Sequence, residues 1–287
     1  MKKTNKALLI CMFCMSMTIW SCKKDSSNST VAPIESSDNG KSNSTTSGQL
    51  STTVADLQLW GLGSVLQAEK SLDKTYPWYI DQLTTGTYWY VNCGPTAVTM
   101  ALKWADPNFN KTALDARNTY RPTGGWWMTS DVTNYLTKYG INWRIASLPN
   151  AFTTLMNYLD KGQIVILCLD GYYLTYNAST TQHVGRFYAA SGPNWGHFIV
   201  VKGYKIVDSK FYFEAYDPYS IGATYADNTT WLKGQNRYYT STDISTATTI
   251  WWDYAIVVAP KGKQVVSAAA GLQEFVDPAD VPDQKGY

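Results

Sequence analysis

Along the body of the chain, apolar residues first recur at helical spacing and later in short runs or alternation. Gly94-Pro95-Thr96-Ala97 opens a helix, because proline suits a first helical turn, and Val98, Ala101, Leu102 and Ala105 then fall on one face. Cys93 stands at the N-terminus of that helix. Ser130 is placed to cap a second helix bearing Val132, Tyr135, Leu136 and Tyr139, which stops at Gly140. Asn150 is placed to cap a third bearing Phe152, Leu155, Met156 and Leu159, which stops at Gly162.

Beyond Gly162 the period changes. Gln163 to Leu169 is a run of branched apolar residues, and His197 to Tyr204, Lys210 to Tyr216 and Asp253 to Pro260 are β-rich segments between polar loops. Helices early and strands late predict an α+β fold, with N-terminal helices packed on a mostly antiparallel β-sheet. The stretch from Val54 to Leu72 is apolar and reads as helical, interrupted by Gly61 and Gly63. After Lys261 no period is visible, and a loosely ordered tail is expected. No repeat or linker breaks 76–260, which is therefore expected to be one domain, preceded by an extension over 54–75 and followed by a tail over 261–287.

The N-terminus has its own pattern. Lys2, Lys3 and Lys6 form a positive start, and the apolar segment Ala7 to Trp20 is too short to span a bilayer as a mature helix. It ends in Ile19-Trp20-Ser21-Cys22, which resembles a bacterial lipobox, so 1–21 is expected to be a lipoprotein signal peptide and Cys22 the lipidated N-terminus. Of the 29 residues from Asp25 to Thr53, 17 are Ser, Thr or Asn, too few apolar groups to offset the entropy of ordering. The segment 22–53 therefore reads as a flexible tether with a reach of about 30 Å. A membrane-anchored protein of the cell envelope is expected.

Composition narrows the function. With 287 residues, 45% hydrophobic and only 16% charged, the chain can bury a large core. Removing the three leader lysines leaves 21 basic against 22 acidic residues, a neutral balance that argues against nucleic acid as a partner. No phosphate loop is present, since Gly124-Gly125 is followed by two tryptophans. Thirteen residues separate the two histidines, a spacing that builds no zinc site. Neither metal nor cofactor is expected, and the chain reads as a monomer.

Cysteine or histidine chemistry must come from Cys93, Cys168, His183 and His197. Unpaired N–H groups and the macrodipole at a helix N-terminus favour an anion, so the position of Cys93 suits a nucleophilic thiolate. Cys168, among Ile164, Ile166 and Leu169, reads as a buried small hydrophobe. His197 begins an apolar strand and Asp217 ends the next one before Pro218; if the two strands pair as a hairpin, the carboxylate reaches the imidazole. His183, in a polar loop without an acidic neighbour in sequence, is expected to be exposed. Gln82 is eleven residues before Cys93 and could offer an amide N–H to an oxyanion, beside the backbone N–H of Cys93. Trp126-Trp127, Tyr172-Tyr173, Trp195 and Trp251-Trp252 fall in or beside loops, and read either as packing or as aromatic walls of a peptide or glycan cleft.

Taken in order, Gln82, Asn92-Cys93-Gly94-Pro95-Thr96-Ala97, Gly196-His197-Phe198-Ile199-Val200-Val201-Lys202-Gly203-Tyr204 and Tyr216-Asp217-Pro218-Tyr219 resemble the double-glycine type of papain-like cysteine peptidase. Members of that family trim bacteriocin leaders inside export transporters, and others are stand-alone secreted or lipid-anchored proteins. Lys161-Gly162-Gln163-Ile164-Val165 also resembles the family's step into its first central strand. The resemblance implies a papain-like fold over 76–260, with Cys93 as nucleophile, His197 as general base and acid, Asp217 as orienter and Gln82 as oxyanion donor. Gln82 lies farther from the cysteine than in papain, and no transporter accompanies this sequence, so the resemblance does not carry over a double-glycine leader substrate.

The reading that follows is a peptidase acting on a peptide or protein substrate through a thioester acyl-enzyme. Two rivals remain: a catalytically silent peptide- or glycan-binding envelope module, and an amidase or acyltransferase acting on cell-wall peptides.

Overall fold

A computed structural model describes residues 52–148, 151–227, 229–267 and 275–278. Its helices are α1 (Val54–Leu59), α2 (Cys93–Ala105), α3 (Ala113–Thr119), α4 (Thr129–Lys138), α5 (Ala151–Asp160) and α6 (Ser241–Ile250). Its strands are β1 (Leu66–Ser71), β2 (Trp143–Ser147), β3 (Ile164–Asp170), β4 (Gly196–Val207), β5 (Lys210–Tyr216), β6 (Arg237–Thr240), β7 (Tyr254–Val258) and β8 (Phe275–Val276). All pair antiparallel in one sheet of order β6-β5-β4-β3-β7-β2-β8, and β1 lies along the far half of β4. The fold is the expected α+β arrangement of helices on an antiparallel sheet. Signal peptide, Cys22 and residues 22–51 of the tether lie outside the described residues, as does the expected cap Asn150.

Strand β3 shows why helices cover both faces. A strand without polar alternation must be buried on each side. Ile164, Ile166 and Cys168 enter the core that holds α2 and α4, whereas Val165, Leu167 and Leu169 enter the one holding α5 and α6. In α2 every residue but Lys103 is buried. Gly94 is required there, because a Cβ would stand 2.6 Å from the Cβ of Trp127.

The hairpin of β4 and β5 positions two of the candidate residues. It turns on Asp208 and Ser209, with φ of 49° and 61°, the left-handed pair that matches strand twist. From that turn the register runs back to Val200 opposite Tyr216, with an irregularity between Val201 and Gly203, so Gly196-His197 and Asp217 emerge at one end of the sheet. Gly203 lets β1 approach, since a Cβ there would meet the carbonyl oxygen of Lys70 at 2.3 Å.

Several local expectations are corrected. Within 54–72 only α1 is helical; Leu66–Ser71 is a strand, held beside β4 by the Lys205 Nζ to Glu69 Oε2 contact of 2.6 Å. Fully buried Lys202 adds a second clip, with Nζ 3.0 Å from Asp73 Oδ2 and 2.5 Å from Glu214 Oε1. Ser130 sits inside α4 rather than capping it; Met128 is the N-cap, and Asp131 accepts its N–H at 2.8 Å. The segment after Lys261 is tied down in part. Gln163 exchanges hydrogen bonds of 2.9 and 2.7 Å with the backbone of Val266, and β8 pairs with β2.

Candidate active site

The first turn of α2 presents Cys93 at its N-terminal residue, 4% exposed. Across from it, His197 opens β4 and is 2% exposed. The imidazole Nε2 is 2.7 Å from Asp217 Oδ1, and the Cys93 thiol is a hydrogen-bonding neighbour of the same ring. With Nε2 taken by Asp217, Nδ1 is the ring nitrogen left for the thiol. The structure therefore brings Cys93, His197 and Asp217 together as a row.

The electrostatics of the row are cooperative. Burial alone would push the His197 pKa down, but the Asp217 carboxylate and the Cys93 sulfur outweigh it and raise the pKa to about 10. For Asp217 burial works upward, and the His197 charge with the surrounding donors overcomes it, leaving the carboxyl below its usual range. Both groups are thus held in their charged forms, which suits a thiolate–imidazolium pair.

Asp217 is fully buried, and the four bonds of its carboxylate all come from donors. Oδ1 accepts from His197 and from the backbone N–H of Tyr219 at 2.9 Å, while Oδ2 accepts from Tyr239 at 2.6 Å and Tyr188 at 2.9 Å. Burial, then the nearby carboxylate, pushes both tyrosine pKa values well up, so both hydroxyls keep their protons. Nothing in the sequence pairs either tyrosine with Asp217. Trp195, with its ring centre 5.1 Å from that of His197, and Tyr188 at 5.9 Å wall the imidazole.

Gln82 is buried in a 3₁₀ turn (Gln82–Thr84). Its backbone N–H bonds Pro218 O at 2.8 Å, and its Nε2 bonds Trp89 O at 3.0 Å, four residues before Cys93. Asp81 caps that turn and accepts from Ile221 N at 3.0 Å and Gly222 N at 2.7 Å, so the Gln82 loop is strapped to the loop after Asp217. The amide is thus carried to the segment entering α2, with one N–H committed to Trp89 O.

The remaining candidates lie elsewhere or do other things. Cys168 faces the α2 side of the sheet, where burial raises its pKa well above the ordinary value and keeps it a thiol. Contrary to expectation, His183 is fully buried: its Nε2 is 2.8 Å from Asp227 Oδ2 and its ring stacks on Tyr225 at 3.6 Å. The partner, 44 residues away, was not visible as a neighbour in sequence. Burial lowers the His183 pKa to about 4 despite that carboxylate. Asp170 caps the 3₁₀ turn Gly171–Tyr173 and accepts from Asn194 N at 2.7 Å and Trp195 N at 3.1 Å, bracing the loop before His197.

The crevice beside Cys93 is small, about 20 Å³, and is lined by Trp126, Trp127, Gly196, Phe198, Trp251 and Trp252. That is room for about one water. Among the described residues no three His, Cys, Asp or Glu side chains cluster as metal ligands would, and no helix is long and apolar enough to cross a membrane.

Residues 73–246, more than half of the chain, match a family model described as "Peptidase_C39 like family". No curated protein matches the sequence. Among solved structures, one from Bacillus anthracis described as a C39-like peptidase aligns over 69% of this chain and 100% of its own, at 13% identity and a TM-score of 0.41. At that score the likeness carries no argument about this chain.

Proposed function

The chain belongs to the C39-like peptidase family, and from that premise we propose that it is a cysteine peptidase working through Cys93, His197 and Asp217. The observation that carries the proposal is the 2.7 Å bond from His197 Nε2 to Asp217, made while the same ring neighbours the thiol at the N-terminus of α2. A buried imidazole tethered on one nitrogen and facing a thiol with the other is the arrangement nucleophilic acyl transfer needs.

In this reading Cys93 Sγ, as thiolate, attacks the carbonyl carbon of the scissile peptide bond. The developing oxyanion meets the backbone N–H of Cys93 and the second N–H of Gln82 Nε2. His197 Nδ1 then hands its proton to the leaving amine, the C–N bond breaks, and a thioester remains on Cys93. Water, losing a proton to Nδ1, attacks the thioester; the acid product leaves and the thiol is restored. Asp217 stays ionised throughout and fixes the ring.

The lipobox-like Ile19-Trp20-Ser21-Cys22 and the Ser/Thr/Asn-rich 22–53 support a lipid anchor at Cys22 and a place in the cell envelope, with peptides or proteins as substrates. The deciding experiment is labelling by a thiol-reactive peptide electrophile, followed by cleavage of a peptide library. Labelled wild type and unlabelled Cys93→Ala are expected, with library cleavage lost in the variant. A library left intact by labelled protein would instead favour the amidase or acyltransferase reading.

A further inference from the structure

Arg117 lies in the last turn of α3 yet is 1% exposed. Its guanidinium grips both segments that flank the nucleophile. Nε donates to Asn92 Oδ1 at 2.7 Å and Nη2 to Val91 O at 3.0 Å, the two residues before Cys93. Nη1 donates to Gly125 O at 2.9 Å and Arg121 O at 3.2 Å, beside Trp126-Trp127 of the crevice wall. Every one of these acceptors is neutral.

Among the described residues no carboxylate oxygen stands within 4.0 Å of this guanidinium. The carboxylate of Asp131 is committed to Arg121 Nε at 2.6 Å and Met128 N at 2.8 Å. A cation removed from water without a counter-ion is costly, and neutral donors could make the same anchoring bonds. An anion forming close by would offset that cost. Burial lowers the Arg117 pKa, and the strongest influence opposing it is Cys93, ahead of Asp131.

Asn92 supplies an independent observation. It is the N-cap of α2, a place where an asparagine oxygen ordinarily accepts an N–H of the first turn. Here no side-chain cap bond forms, because Oδ1 is held by Arg117 and Nδ2 donates to Thr85. The cap is turned away from the helix end where the sulfur and the oxyanion must sit.

We propose that Arg117 is a positioning residue of the active site: its buried charge, paired with no carboxylate, favours the Cys93 thiolate, and its grip on Asn92 leaves the N-terminus of α2 uncapped toward the reacting sulfur. The charged and titratable groups facing Cys93 are His197 from β4, Cys168 from β3 and Arg117 from α3; Arg121, Asp131 and Tyr88 face Arg117 in turn. Cys168 is a neutral thiol, and His197 gives up its charge to the leaving amine. Arg117 is the one cation of the set that persists through turnover, because a guanidinium does not deprotonate.

This inference rests on the cysteine-peptidase reading, and the test separates the two. Iodoacetamide alkylation of Cys93, located by peptide mass, is followed from pH 4 to 8 in the full chain, in Arg117→Gln and in Arg117→Lys. The midpoint of the acid limb is expected to rise by about one pH unit in Arg117→Gln, a rate about tenfold lower below it, with Arg117→Lys staying within about threefold of wild type. A folded Arg117→Gln with the wild-type profile overturns the inference alone. If Arg117→Gln does not fold, Arg117→Lys decides: retention of the profile supports the role of charge, and a folded lysine variant that loses tenfold overturns it. Slow alkylation of Cys93 in the unsubstituted protein brings down the peptidase reading and the inference together.

Discussion

The hydroxyl of Tyr239 donates to Asp217 Oδ2 over 2.6 Å, so the strand at one edge of the sheet holds the carboxylate that orients the histidine. Tyr188 joins it from a loop, and the two hydroxyls leave Oδ1 as the oxygen that His197 can use. The row of three therefore depends on a strand that carries none of its members.

Tyr239→Phe removes one donor from a buried carboxylate and changes nothing else in volume. A hydrogen bond to a charged group is worth about 1.5–3 kcal/mol, so kcat/KM is expected to fall about tenfold or more. Asp217 then ionises less readily, and the acid limb of the kcat/KM profile should move to higher pH. Full activity with an unmoved limb would remove Tyr239 from this role.

Cys93 and Cys168 are the free thiols among the described residues. They should differ in alkylation. Cys168 is kept protonated by burial, whereas Cys93 faces the imidazole. Mass mapping after brief iodoacetamide treatment is expected to find the adduct on Cys93, and Cys168→Ala should leave its rate unchanged. Faster modification of Cys168 would contradict the assignment of the nucleophile.

The two histidines should fail in different ways. His197→Ala is expected to cost several orders of magnitude in rate, as loss of a triad member does, at whatever stability remains. His183→Ala removes a neutral imidazole bonded to the buried Asp227 carboxylate and should cost about 1.5–3 kcal/mol of stability while the folded fraction keeps its turnover. Unfolding free energies and kcat measured together distinguish them, and a His183 variant with native stability but no turnover would reverse the roles.

Their pKa directions also predict opposite slopes with pH. His183 titrates near 4 when folded and near 6.5 when unfolded, so the unfolded chain takes up its proton first as pH falls. Stability from this group should decline from about pH 6.5 and lose about 3 kcal/mol by pH 4. For His197, raised to about 10, the contribution is full below pH 6.5 and is lost as pH climbs toward 10. Urea midpoints against pH should therefore peak between, and His183→Gln should flatten the acid side only.

What the sequence showed, and what it hid, follows from how local each signal is. Cys93 and His197 were legible because each sits at the start of an element whose periodicity is strong, and Asp217 because a hairpin of adjacent strands fixes its place. The strand Leu66–Ser71 was not legible, since Leu-Gln-Ala-Glu-Lys-Ser has little β character and is paired through Gly203 and the Lys205–Glu69 contact. His183 read as exposed because Asp227 and the rings of Trp60 and Tyr225 reach it from distant segments. Arg117 carries no signal of its own in the sequence, and only the fold shows that its carbonyl partners lie beside Cys93.

The sharpest expectation concerns Asp217, because two substitutions there separate geometry from charge. In Asp217→Asn the amide oxygen can keep the bonds from His197 Nε2 and Tyr219 N, and the new NH₂ faces the Tyr188 and Tyr239 hydroxyls. Those hydroxyls can turn to accept from the NH₂, but their own protons lose the carboxylate that took them, so the substitution carries a cost in stability. The ring stays oriented, but the charge that favours imidazolium is gone and the thiolate–imidazolium pair weakens. Asp217→Ala loses the charge and also leaves an imidazole and two hydroxyls unpaired in a fully buried site. Turnover and thermal stability should therefore fall in the order wild type, Asp217→Asn, Asp217→Ala, with alkylation of Cys93 persisting in both variants at raised pH. Should the alanine variant match or exceed the asparagine variant in turnover, ring orientation by this residue would no longer explain the 2.7 Å bond, and the acid would have to be sought elsewhere around His197.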